Sequence, residues 1–487
     1  MISAHNVNPI PGAPSPKEYP LPDVDRPYVD LFSAQTGMIL SLTAHLLGGQ
    51  LDGVTPMLRR RIEREVRGRI LSPFMETDDF WWMGVRRKDL CNWTPWILSN
   101  IMVCAALSPM TDGELARLLT RACGMLDRYL DTLPADGGCD EGTGYWNMAG
   151  GALMDCLTLL EKLTGGWMTF WQDEKVRNIL TFPLKMNLGN GWFVNFADCD
   201  ARPFLSGERL ETAGRRLRDP SLRALGTAYR GTLADQLNDV PHFTRVLDLL
   251  FSRPEETPAE PAGAAGDVYL PDLQVRVLKK GPFVLACKGG HNGESHNHND
   301  VGSLILTVNG EPAVVDAGNM VYTAKTFSLE RYTLWNVRAA YHNLPLIGDM
   351  EQREGRAHAA RQVHCTGDGL SLSLADTYGA EAGIETLDRA FVLTEERLTV
   401  TDTILLKDPL PVTWVWMLRQ KPSWTDGTVT AGQLRIRCAK DLSFRAEEIP
   451  VTDERMKRNW PGSLWRVTLR SRPETCFRET FEFQMKE

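Results

Sequence analysis

The sequence predicts an α+β chain in two parts, a helical first half followed by an antiparallel β-sandwich. Three observations predict it. Apolar residues recur at spacings of three and four through the first 252 positions. Beyond position 268 the spacing changes to two. Between them, 253–267 is rich in Pro, Ala and Gly and offers little to bury, which marks a linker. The expected division is therefore a helical domain at 1–252, a linker at 253–267 and a β domain at 268–487.

The elements follow in order. Helices are expected near 33–48, 95–107, 146–164, 169–181, 203–217, 220–236 and 242–252. Thr55-Pro56 opens another, with Pro at the first helical position, where its missing N–H costs nothing. Thr111-Asp112-Gly113-Glu114 is a capping box. Behind it, Leu115, Leu118, Leu119, Ala122, Met125, Leu126, Tyr129, Leu130 and Leu133 lie on one stripe, and Pro134 ends the helix. In the second half, Ser303 to Val308, Asn309-Gly310 and Glu311 to Val315 predict a tight hairpin. Short strands are expected around 369–375, 385–406, 412–419, 428–438, 442–446, 464–471 and 476–484.

Of the 487 residues, 43% are hydrophobic and 24% charged, the balance of a globular chain. No apolar run approaches the roughly 18 residues of a membrane-spanning helix, so a membrane partner is not expected. The net charge of −8 argues against a nucleic-acid binder, but it allows an anionic ligand in a locally basic cleft. The first thirty residues lack a basic segment followed by an apolar core, so a cytoplasmic protein is expected, or a secreted one if a signal has been removed. The ten cysteines form no Cys-x-x-Cys pair and are expected to be reduced. Whether the chain forms a homo-oligomer is left open.

Chemistry concentrates in the second half. Five of nine histidines fall between 291 and 358. His296 and His298 stand at His-x-His spacing in a Gly/Asn-rich loop, where an extended chain would place both on one side, about 6–7 Å apart. One could then serve a metal and the other face a substrate. Asp316 returns toward them at the far end of the hairpin, and His342 lies in Tyr341-His342-Asn343. Two imidazoles and a carboxylate suit zinc or another first-row divalent ion. A simple hairpin pairs Ser303 with Asp316 and gives His298 the opposite side-chain parity, so a bulge is expected, with Gly302 a natural place.

The first half carries two polar, aromatic patches just before helices. One runs from Arg86 through Asn92 and Trp93 to Trp96, and the other from Gly137 through Asp140, Glu141 and Tyr145 to Trp146. Loops on a rigid scaffold often carry function, and Trp and Tyr beside Arg make a sugar platform. The ordinary alternatives are that Asn92 caps a helix, Tyr145 anchors the core and the tryptophans pack. Arg86, Arg87, Lys88, Arg202 and Arg338 are candidates for positive potential around an anionic substrate, with solvated surface the ordinary alternative. Asp140, Glu141, Asp198 and Asp200 would supply the paired carboxylates of a glycoside hydrolase.

Taken together, His296-Asn297-His298-Asn299-Asp300-Val301-Gly302-Ser303, Val315-Asp316-Ala317-Gly318 and Tyr341-His342-Asn343 resemble the heparinase II/III-like polysaccharide lyases. Asn92 and the Asp140 to Tyr145 loop match more loosely, in the right order. The resemblance covers most of the chain. It implies an N-terminal incomplete (α/α) toroid, a C-terminal β-sandwich and a substrate cleft between them. It implies β-elimination on a uronate-containing glycan, with a glycosaminoglycan the first expectation and alginate the alternative. Asn92 resembles the residue that neutralises the uronate carboxylate, Tyr145 the catalytic base and acid, and His296 the catalytic histidine. His298, Asp316 and His342 resemble ligands of one Zn2+ or Mn2+ ion. Arg86, Trp93, Glu141, Trp146 and Arg338 are the expected substrate contacts. Trp93 stands where some relatives carry histidine, which removes a candidate base for the other C5 epimer. A non-catalytic glycan-binding protein is the reading from outside enzymology.

Overall fold

The computed structural model describes residues 27–230 and 263–486. The expected helix at 242–252 and most of the linker lie outside the described residues. Among the described residues no helix is long and apolar enough to cross a membrane.

The helical part forms as its caps and stripes dictate. Asp30 caps the helix Leu31–Leu46, with a reciprocal bond to Ser33. Thr55 caps Pro56–Val66. Thr111 and Glu114 close the expected capping box on Asp112–Thr132, which buries Leu118, Leu119, Ala122, Met125, Leu126 and Tyr129. Trp93–Leu107, Gly150–Leu163, Glu174–Lys185, Gly207–Leu217 and Pro220–Ala228 complete the longer helices.

The described second half forms two large antiparallel sheets and a two-stranded one, His291–Asn292 with Gly355–Ala359. In spatial order, one runs Arg361–Thr366, Gly369–Ser373, Ile384–Leu393, Arg397–Leu410, Glu474–Met485, Leu434–Arg437, Thr428–Ala431 and Pro422–Thr425. The other runs Ser443–Pro450, Ser463–Arg470, Val412–Leu418, Glu311–Val314, Leu304–Val308, Phe283–Lys288, Val275–Lys280 and Asp267–Leu270, with Pro345–Ile347 beside Val412–Leu418. Both sheets contribute to one buried core, Leu285, Leu306 and Trp416 from one and Leu372, Val400 and Phe483 from the other. The expected strand at 385–406 is a hairpin that turns at 394–396.

The Asn309-Gly310 turn has both residues at positive φ, 52° and 78°, as a tight hairpin requires. The bulge sits elsewhere than expected. Val308 pairs with Glu311 and Thr307 with Pro312, but Leu306 pairs with Val314. That one-residue shift brings even-numbered residues of the two strands opposite each other, while His298 lies outside the strand, beyond the turn at 301–302. Gly302, at φ 88°, adds a turn of its own.

The expected boundary at 252 lies outside the described residues, and the described part of the first half divides between two units. One compact unit contains the described residues of 27–134, Trp146–Leu180 and 206–230. The other takes Ala135–Tyr145 and Thr181–Leu205 together with 263–486. Two segments from the helical half of the sequence therefore pack with the β-sheets. They form a small hairpin, Asn187–Gly189 with Trp192–Phe193, and two loops. Gly142, at φ 83°, lets one loop meet the other, because a Cβ there would lie 2.8 Å from that of Cys199.

A buried ion pair braces the β unit. Arg389 donates through Nε and Nη2 to the two carboxylate oxygens of Asp402, both at 2.7 Å. Its Nη1 donates to the carbonyls of Gly302 at 3.0 Å and Asn343 at 2.6 Å. Trp414 Nε1 also donates to Asp402, at 2.9 Å. The guanidinium thus ties strands of one sheet to the two loops that follow His298 and His342. Arg389→Leu leaves the Asp402 charge buried and is expected to destabilise the β unit by about 3–5 kcal/mol. Arg389→Leu with Asp402→Leu should recover part of that loss. Denaturant unfolding compares the two, and a double variant no more stable than the single would remove the buried charge as the cause.

Candidate active site and metal centre

Asp198 stands at the centre of the site. Its Oδ2 lies 3.0 Å from His296 Nδ1, and its Oδ1 lies 3.1 Å from His298 Nε2 and 2.9 Å from Arg331 Nη2. Burial opposes its charge, but hydrogen bonds from His296, His298 and Arg331 win and hold the carboxyl well below the usual range. Asn319 Nδ2 donates to the Asp198 carbonyl at 2.7 Å, and Asn195 Nδ2 to the Asp316 carbonyl at 3.1 Å. These bonds knit the 195–200 loop to the chain beyond the hairpin.

His296 has φ 56°, a left-handed conformation that a histidine adopts at a cost. Arg331 holds the turn by donating to the carbonyls of His296, at 2.9 Å, and Asn297, at 3.0 Å. Lys288 braces the same loop from beneath, buried between Asp300 at 2.8 Å and Glu294 at 3.1 Å. Burial disfavours the Lys288 charge, but the two carboxylates outweigh it and raise its pKa.

With Nδ1 donating to Asp198, His296 Nε2 is left as the acceptor nitrogen. Glu141 Oε1 lies 3.7 Å from it, beyond a hydrogen bond. The Tyr145 ring packs on the imidazole with centroids 4.6 Å apart. Its hydroxyl lies 2.6 Å from that of Tyr322, which is 3.2 Å from His296 Nδ1. The Arg455 guanidinium sits 5.2 Å over the Tyr322 ring and pairs with Asp200 at 3.2 Å. Burial pushes the Tyr145 hydroxyl up to about 12, against the Tyr322 hydrogen bond and the Arg455 charge.

His298, Asp316 and His342 are fully buried, and one ligand atom from each lies within 4.8 Å of the others. His342 Nδ1 lies 2.9 Å from Asp316 Oδ2. His298 Nδ1 and His342 Nε2 are buried and have no hydrogen-bond partner. Leaving such groups unsatisfied is costly, and a divalent cation would satisfy both. The donor set therefore fits a first-row ion. Asp198 on the other nitrogen of His298 is then the outer carboxylate that orients a ligand imidazole.

The structure thus groups Tyr145, His296 and Glu141, and separately His298, Asp316 and His342. Other expected residues are placed differently. Asn92 belongs to the helical unit, buried at the N-cap position of Trp93–Leu107 with no cap bond from its side chain to that helix. Arg86 pairs with Asp79, and Trp93 packs at 5.0 Å from Trp81. Arg338 is held by Glu351. The expectation for Trp146 is corrected. It is 1% exposed and donates to the Ile179 carbonyl at 2.9 Å, so it is a packing anchor and not a sugar platform. Tyr322, Arg331 and Arg455 were not singled out from sequence. Tyr322 lies six positions past Asp316, a separation with no motif attached, and the two arginines look like any others.

Comparison with known proteins adds the following. Residues 263–471 match the family described as Heparinase II/III-like, C-terminal, which establishes the resemblance for that part of the chain. No curated protein matches. Among solved structures, a heparan sulfate lyase HepC mutant from Pedobacter heparinus aligns at a TM-score of 0.66 and 12% identity, over 93% of this chain and 68% of that one. A heparinase III aligns at 0.68 and 12%, over 93% and 69%. At this identity the likeness bears on fold, and it matches a helical N-terminal region followed by antiparallel sheets.

The Tyr145 environment sets a pH dependence. A tyrosine titrates near 10 in an unfolded chain and at about 12 here. Because the folded value is the higher, its contribution to stability is complete below about pH 10 and is lost as pH climbs through about 12. Tyr145→Phe should lessen the alkaline fall in thermal midpoint across that window. Phenolate absorbance showing every tyrosine ionised near pH 10 would contradict this placement.

Proposed function

We propose that this protein is a polysaccharide lyase that cleaves uronate-containing glycans by β-elimination, with glycosaminoglycans such as hyaluronan, chondroitin sulfate or heparan sulfate as its substrates. The reading rests on one observation: a tyrosine hydroxyl and an Asp-oriented imidazole lie ring against ring. β-Elimination needs two proton transfers, removal of the C5 proton and protonation of the departing O4. Two adjacent groups of opposite character match that need.

The roles divide by protonation state. Forming a phenolate at pH 7 from a hydroxyl at about 12 would cost on the order of 7 kcal/mol at 1.36 kcal/mol per unit. Tyr145 is therefore the acid, donating to O4. His296 presents Nε2 as an acceptor, with Nδ1–H fixed on Asp198, which is the arrangement of a general base. This divides a task that the resemblance gave to Tyr145 alone. Asn92, by the same resemblance, holds the uronate carboxylate and stabilises the charge that develops as C5 loses its proton. The helical unit is the incomplete (α/α) toroid of that resemblance, with Arg86 and Trp93 as its sugar contacts.

His298, Asp316 and His342 would hold one Zn2+ or Mn2+ ion, whose charge would fix the loops around His296. The proton transfers belong to Tyr145 and His296.

The glycoside hydrolase reading loses support from the geometry. Asp198 is engaged by two imidazoles and a guanidinium, and Asp200 by Arg455 and Asn459. Asp140 Oδ2 accepts the Ser295 N–H at 3.0 Å. Alginate remains the second substrate class, since it shares the uronate chemistry.

Tyr145→Phe keeps the ring and removes the proton donor. Turnover, followed as the ultraviolet absorbance of the C4=C5 double bond, should fall at least ~10²-fold, with oligosaccharide affinity largely kept. Near-wild-type turnover in the folded variant would pass the acid role to another group.

A further inference from the structure

Away from the catalytic cluster, the β unit contains a cavity of about 470 Å³. Its wall includes three arginines, Arg202, Arg419 and Arg458, against one carboxylate, Glu311. The side amides of Gln420 and Gln433 also line it. We propose that this cavity is a second binding site for an anionic saccharide, holding a uronate carboxylate or sugar sulfate between guanidinium groups. The choice of ligand rests on the lyase reading, but the site itself is argued from its own geometry.

Parts of the wall are held in place before any ligand arrives. The Arg202 guanidinium lies 3.9 Å over the Trp192 ring, which stacks on Trp460 at 5.3 Å and an angle of 10°. The Arg202 N–H donates to Asn459 Oδ1 at 3.0 Å, and Asn459 Nδ2 donates to Asp200 at 2.9 Å. Arg419 is fixed by donating to the carbonyls of Ser463 and Pro461, at 3.1 and 3.0 Å. Groups held in place before binding lose less entropy on binding. Arginine forks suit carboxylate and sulfate oxygens, and the amides suit sugar hydroxyls.

Trp192 lines the cavity and is 7% exposed, so its ring serves as a packed backing for the Arg202 guanidinium. Arg202 stands four positions after Asp198 in the same segment of chain.

The test is calorimetric titration of the full chain with a glucuronate–N-acetylhexosamine disaccharide, unsulfated and sulfated, and with neutral lactose. Both anionic sugars, or the one whose oxyanion the arginines prefer, should bind, and lactose should bind at least tenfold more weakly. Arg202→Ala with Arg458→Ala should weaken binding at least tenfold and leave thermal stability and turnover of a short substrate within twofold of wild type. Gln420→Trp, which fills the cavity and keeps every charge, should weaken it similarly and decides the matter if the arginine variant fails to fold. Unchanged affinity in the folded variants, equal lactose binding, or binding abolished by His296→Ala would overturn the site. Binding is read without turnover, so failure of the lyase reading would show separately, as absence of unsaturated product.

Discussion

One buried carboxylate organises the site. Asp198 is almost without solvent, a place where a lone charge would be neutralised by a shifted pKa. It stays ionised because His296, His298 and Arg331 all converge on it. The consequence is chemical as well as structural. The same carboxylate fixes Nδ1 of His296, leaving Nε2 as an acceptor, and takes Nε2 of His298, leaving Nδ1 toward His342 and Asp316. Two histidines two positions apart thereby present opposite ring nitrogens to one carboxylate, which suits them to the different tasks proposed.

Around this centre, the fold uses buried charge to hold loops that carry little apolar surface. Arg389 and Asp402 tie the ends of the His298 and His342 loops to the neighbouring sheet. Lys288 fixes the 289–300 loop through Glu294 and Asp300. Such pairs contribute less net stability than apolar packing would, yet removing one partner is costly. Their effect here is placement. They hold His296 in its left-handed conformation and keep three metal-type donors within reach of one another.

Much of this was legible in the sequence. The change from spacing three and four to spacing two divides helices from strands. The Asn-Gly pair gives the hairpin, and the His-x-His spacing with Asp316 and His342 gives the donor set. The expected bulge at Gly302 is a turn, and the register shift lies by Pro312. What stayed hidden were long-range partners. Asp198 looked like one of several loop carboxylates, because its role comes from packing with residues about a hundred positions away. The same reason conceals Tyr322 and Arg331. That two loops of the helical half pack with the sheets was not legible either, since the periodicity of a loop says nothing about which neighbour it joins.

The central claim is that Asp198 supports the proton-transfer histidine and the metal-type histidine at once. Asp198→Asn keeps the shape and removes the charge. Bound divalent metal per chain, by elemental analysis, and unsaturated-product turnover should be measured on the same folded sample. The account predicts that both fall together, each by at least tenfold, the scale on which outer partners of ligands act. Turnover lost with metal content intact, or metal lost with turnover intact, would contradict it.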